Sequence, residues 1–141
     1  MKRGAALARR APLRARPRAR ALEPGEAEWK AERYGFCAVC GLWGRLVLHH
    51  VLRERLVRRA GGDPWDQRNA VQIGAPLAWG GSCHCHDGHH HPGVNDTRIP
   101  LPLIPDEAIA FTVDLLGEHG AADYFARAYA LEVDAGLRWQ P

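Results

Sequence analysis

Phe36-Cys37-Ala38-Val39-Cys40-Gly41-Leu42 is followed almost at once by Arg45-Leu46-Val47-Leu48-His49-His50-Val51, and the reading of these two stretches decides the fold class. In the first, two cysteines separated by two residues and followed by glycine describe a tight turn that aims two thiolates at one ion, with Gly41 free to take positive φ. In the second, residues that favour a pleated strand end in paired histidines. Consecutive strand residues point to opposite faces, so His49 and His50 cannot readily serve one ion together and must do different work.

Working outward, Cys83 and Cys85 flank a single residue inside a run that also holds His84, His86, His89, His90 and His91. Close cysteine pairs beside clustered histidines indicate metal ligation more than cross-linking. The economical reading is one structural zinc on Cys37, Cys40, Cys83 and Cys85; the tighter second pair leaves room for a histidine to replace Cys83 or Cys85. His86 and His90 lie four apart and would share one helix face, although Gly88 and Pro92 weaken that helix. His89 is therefore an alternative to His90, and His84 a weaker one.

The remaining segments place these motifs. Residues 23–34 are predicted to hold a short helix, and Leu52 to Ala60 a basic helix stopped by Gly61-Gly62, with Arg53, Arg55, Arg58 and Arg59 on its exposed sides. Asn69 to Gly74 predicts a second brief strand with Val71 and Ile73 on one face. A helix is predicted from Pro105 to a stop at Gly117, and another from Ala121 to Leu131 with Tyr124, Phe125, Ala128 and Leu131 at helical spacing. The expected class is α+β in a domain spanning 23–141, with the cysteine and histidine motifs within 36–91 and helices at 105–131.

Composition narrows the function. The 141 residues carry a net charge of +3, but residues 1–22 hold eight of the nineteen Lys and Arg and no acid, leaving eleven bases against sixteen acids elsewhere. A solvated arm of Ala, Arg and Pro suits a polyanionic surface, and nucleic acid is the obvious one. Pro12 and Pro17 interrupt any amphipathic targeting helix, and no apolar run approaches the length needed to span a bilayer, so a cytoplasmic chain with no membrane partner is expected.

The knuckle Cys37-Ala38-Val39-Cys40, the strand end Leu48-His49-His50-Val51, the stretch Trp65-Asp66-Gln67-Arg68-Asn69-Ala70-Val71 and Cys85-His86-Asp87-Gly88-His89-His90 stand in an order that resembles the HNH endonucleases of the ββα-metal superfamily. The likeness is greatest to the small HNH proteins of tailed actinobacterial phages. The resemblance implies that His49, His86 and His90 hold one catalytic divalent ion (Mg²⁺, Mn²⁺, Ni²⁺, Co²⁺ or Zn²⁺), that His50 is the general base, and that Asn69 ties the loop between the strands. It implies DNA as substrate, cut to 5′-phosphate and 3′-hydroxyl ends, with phage terminase subunits as candidate partners. Arg53 and Arg55 are the candidate phosphate contacts. The sequence departs from the family in the spacing of Cys83 and Cys85 and in offering no acid to orient His50, a role left to a backbone carbonyl. A zinc-stabilised DNA-binding or terminase-associated module without cleavage would use the same knuckle and arm.

Overall fold

The computed structural model describes residues 20–86 and 98–130. His89, His90 and His91, the first nineteen residues of the arm and Leu131 lie outside them. The described chain is a mixed α+β structure built on a three-stranded antiparallel sheet in the order β1-β2-β3. A single helical turn, α1 (Glu26–Trp29), leads into β1 (Arg33–Phe36), and β2 runs over Trp43–His50. Helix α2 (Glu54–Arg59) and a 3-10 turn at Gln67–Asn69 precede β3 (Ala70–Gly74).

The predicted helix over 23–34 shrinks to one turn because its second half joins the sheet. Arg33 closes α1 by donating to the Trp29 carbonyl at 2.8 Å and the Glu28 carbonyl at 2.9 Å. Tyr34 and Phe36 then pair with Arg45 and Trp43 of β2. The Cys37–Cys40 segment is thus the loop of a β-hairpin, closed by Cys37 N–H donating to the Leu42 carbonyl at 2.9 Å, with Gly41 at φ 71°. Strand β3 alternates as predicted, with Val71 and Ile73 buried and Gln72 exposed. Its register sets His49 against Val71 and His50 against Ala70.

The C-terminal region is one helical run, α3 (Asp106–Ala128), interrupted at Gly117, whose φ of 72° and ψ of 165° no helix accommodates. The stop predicted there is a break; the chain re-enters the helix directly and ends it at Ala128 rather than Leu131. Ala108, Phe111 and Thr112 before the break and Ala121, Tyr124 and Phe125 after it are buried, each set about one turn apart on a single face. That face packs into one core with Val51, Leu52, Val57, Val71 and Ile73, so α3 backs the strand end that carries His49 and His50. No helix of the described residues is long and apolar enough to cross a membrane.

Candidate active site and metal centre

The four cysteines converge from two places in the sequence. The Sγ atoms of Cys37, Cys40, Cys83 and Cys85 all lie within 4.8 Å of one another, and the residues are buried or nearly so. Zn–S bonds of about 2.3 Å in a tetrahedron require sulfurs roughly 3.8 Å apart, so the cluster could close on one zinc ion with small adjustment. A hydrogen bond from Cys85, aided by N–H groups of Cys40, Gly74 and Val39, draws the Cys37 thiol down to about 4 against the opposing effect of burial. Burial raises Cys83 to about 11, and the bond to Cys37 pushes Cys85 up. Four thiolates at this spacing repel, so joint ionisation demands a cation.

Glycine makes the convergence sterically feasible. A β-carbon on Gly74 would overlap Cys83 Sγ, and one on Gly44 would overlap Ser82 Oγ. The segment bearing Cys83 therefore lies directly on the backbone of β2 and β3, which brings two cysteines distant in sequence onto the hairpin loop.

His49 and His50 separate as strand geometry requires. The buried His49 ring faces His86, with ring centroids 5.9 Å apart and planes perpendicular. Metal–nitrogen bonds of about 2.0–2.1 Å to one nitrogen of each ring can span that gap, and an imidazole pair suits Zn²⁺, Ni²⁺, Co²⁺ or Mn²⁺. His90 lies outside the described residues.

His50 enters a different environment. Trp29 stacks on its ring at 4.3 Å with an interplanar angle of 22°, and Trp65 approaches at 5.5 Å. Its Nε2 lies 3.0 Å from the Pro64 carbonyl oxygen. A carbonyl can only accept, so the proton resides on Nε2 and the lone pair on Nδ1. Burial holds the imidazole below its ordinary value despite the neighbouring Glu54, which keeps it neutral near pH 7.

Asn69 is fully buried and bridges the backbone beyond His50. Its Nδ2 donates to the Leu52 carbonyl at 2.8 Å, and its Oδ1 accepts from Leu52 N–H at 2.7 Å. The Val51 carbonyl one residue earlier accepts from both Tyr124 at 2.8 Å and Tyr129 at 2.7 Å. Arg53, which precedes α2 as its N-cap, and Arg55 within the helix are exposed, and Arg53 N–H reaches the Tyr124 hydroxyl at 3.3 Å.

Sequence reasoning missed four contributors. Trp29 and Trp65 enclose His50, and the two tyrosines hold the turn that follows it. It also passed over Glu26, fully buried, whose carboxylate takes hydrogen bonds from Lys30 at 2.5 Å, Arg20 at 2.7 Å and Glu23 N–H at 3.0 Å. The Lys30 bond leads in holding that carboxyl down to about 2. Arg20, assigned to the arm, is therefore tied into the fold. No family model, curated protein or solved structure matches the chain.

Proposed function

We propose that the chain is a metal-dependent HNH endonuclease that hydrolyses DNA phosphodiester bonds to 5′-phosphate and 3′-hydroxyl ends, in phage DNA processing or packaging. The supporting observation is the division of labour at the end of β2, where His49 turns toward His86 while the Pro64 carbonyl orients His50 with its lone pair on Nδ1. His49, His86 and His90 would hold the divalent ion. When bound, the ion neutralises charge on the phosphate oxygens.

The residues of the chain supply the rest. His50 takes a proton from the water that attacks phosphorus in line, as the bond to the 3′ oxygen breaks. The Pro64 carbonyl, bonded to Nε2–H, steadies the imidazolium so formed. Asn69 and the Tyr124–Tyr129 pair fix the backbone at Val51 and Leu52, and thereby the direction in which the histidines leave β2. Arg53 and Arg55 contact phosphates without reading sequence.

The close stacking of Trp29 on His50 favours a second reading, a zinc-stabilised DNA-binding module without cleavage, since a covered imidazole leaves little room for water. Incubation of the zinc-loaded protein with supercoiled plasmid, alone and with each divalent ion, separates the two. Ion-dependent conversion to nicked or linear product is the nuclease result; binding without conversion is the module.

A further inference from the structure

Strand β1 lies at the rim of the sheet, and its outer edge pairs with no strand among the described residues. Two bonds fix which of its backbone groups face outward. Cys37 N–H donates to the Leu42 carbonyl, and the Arg45 carbonyl turns the other way to accept from Ala75 N–H, both at 2.9 Å. Hydrogen-bonded and non-hydrogen-bonded pairs alternate along an antiparallel ladder, so Arg33 and Gly35 bond across to β2 while the N–H and C=O of Tyr34 and Phe36 point away from it. Those four groups are a template for another strand. The side chains of the same two residues are 62% and 66% exposed, and Trp43, 60% exposed, meets Phe36 edge-on with ring centroids 4.9 Å apart.

We infer that β1 pairs with β1 of a second copy of this chain, antiparallel about a twofold axis at Gly35, joining two three-stranded sheets into one of six strands. The edge is complementary to itself, as a twofold contact requires. In that register Tyr34 lies opposite the partner's Phe36, and both present outward N–H and C=O, so the two such pairs close backbone hydrogen bonds on either side of the axis. Aromatic side chains opposite one another on a sheet face attract. Gly35 meets the partner's Gly35 in a non-hydrogen-bonded pair, where Cα atoms approach to about 4.5 Å and no side chains compete for the space. The charges also suit an identical partner. Arg45, which flanks Tyr34 on β2, pairs with Glu32 at 3.4 Å, and Glu32 accepts from the Tyr34 hydroxyl at 3.0 Å. Across the joined sheets the row runs Arg45, Tyr34, the partner's Phe36, the partner's Trp43, so neither arginine faces its copy. Here an edge that balances its own charge offers nothing to a polyanion and no repulsion to its twin.

The contact is short, and interfaces below about 1,200 Å² belong to transient associations, so the dimer is weak and depends on concentration. Sedimentation equilibrium of the zinc-loaded full chain, from micromolar to millimolar concentration, should follow a monomer–dimer equilibrium. Hydrogen exchange should find the Tyr34 and Phe36 amides open in the dilute protein and slowed by about tenfold or more in the concentrated one. Phe36→Lys sets a charge against the partner's Tyr34, the means by which natural edge strands refuse partners, and should weaken the dimer by roughly tenfold or more. Tyr34→Pro deletes an outward donor without touching a bond to β2 and should weaken it similarly. Trp79→Ser removes an equally exposed ring outside β1 and β2 and should leave it unchanged. A monomer at every concentration overturns the inference and leaves the edge to a strand of another protein. So does a dimer whose Tyr34 and Phe36 amides stay open, or one that Trp79→Ser dissociates as far as Phe36→Lys, which would be ring faces meeting rather than strands. The exchange measurement uses the wild-type chain and decides the matter even where a variant fails to fold. None of these readouts requires cleavage, so the outcome is independent of the nuclease reading.

Discussion

The Tyr129 hydroxyl donates to the Val51 carbonyl at 2.7 Å, joining residues 78 apart in sequence at the turn that follows His50. Tyr124 donates to the same oxygen, so the C-terminal helix grips the backbone of the candidate site rather than merely covering it. Either Tyr→Phe change should cost about 1 kcal/mol, and the double change about 1–3 kcal/mol by removing both donors from a buried carbonyl. Thermal melts give the stability. If the pair positions His50, the double variant also loses turnover with little change in KM.

Asn69→Ala should be more damaging than either tyrosine change. It strips partners from both the N–H and the carbonyl of the buried Leu52, each worth about 1–3 kcal/mol when left unsatisfied. Asn69→Asp retains the acceptor and should fall between alanine and wild type in denaturant midpoint.

Gly74→Ala tests the metal cluster without touching a cysteine. The added methyl collides with Cys83 Sγ, so zinc content should drop and the melting temperature with it, as in Cys37→Ser. Full zinc occupancy in Gly74→Ala would mean that Cys83 does not hold zinc in the place described.

The pH dependence follows from His50. Burial lowers its proton affinity, so the folded protein binds that proton less well than the unfolded chain. Stability from this group is complete above the unfolded value of about 6.5 and is lost as pH falls through that value toward the folded one. Activity that needs neutral His50 should accordingly persist below pH 6.5, and the acid limb of kcat/KM should move or vanish in His50→Ala.

Local chemistry made much of this molecule legible before any coordinates. The Cys37–Cys40 turn, the β2 strand end, the alternation of Val71 and Ile73 and the break at Gly117 all depend on near neighbours, and each is present. The opposite directions of His49 and His50 followed from strand geometry alone. What escaped was non-local. Strand β1 was hidden because Arg33–Phe36 becomes a strand only by pairing with Trp43–Leu46. The Pro64 carbonyl beside His50, the stacking of Trp29 and the convergence of two tyrosines on Val51 join segments that no periodicity connects. Glu26 drew no reading of its own, since nothing in its neighbourhood announces a buried carboxylate held by Arg20 and Lys30.

The most direct test is single-turnover cleavage of plasmid DNA by wild type and by His50→Ala, both zinc-loaded and supplied with a divalent ion. The account predicts ion-dependent nicking by wild type and a loss of about two to four orders of magnitude in His50→Ala, the usual contribution of a general base, with zinc content and DNA affinity preserved. Equal cleavage by the two proteins, or none by wild type with any ion, contradicts it.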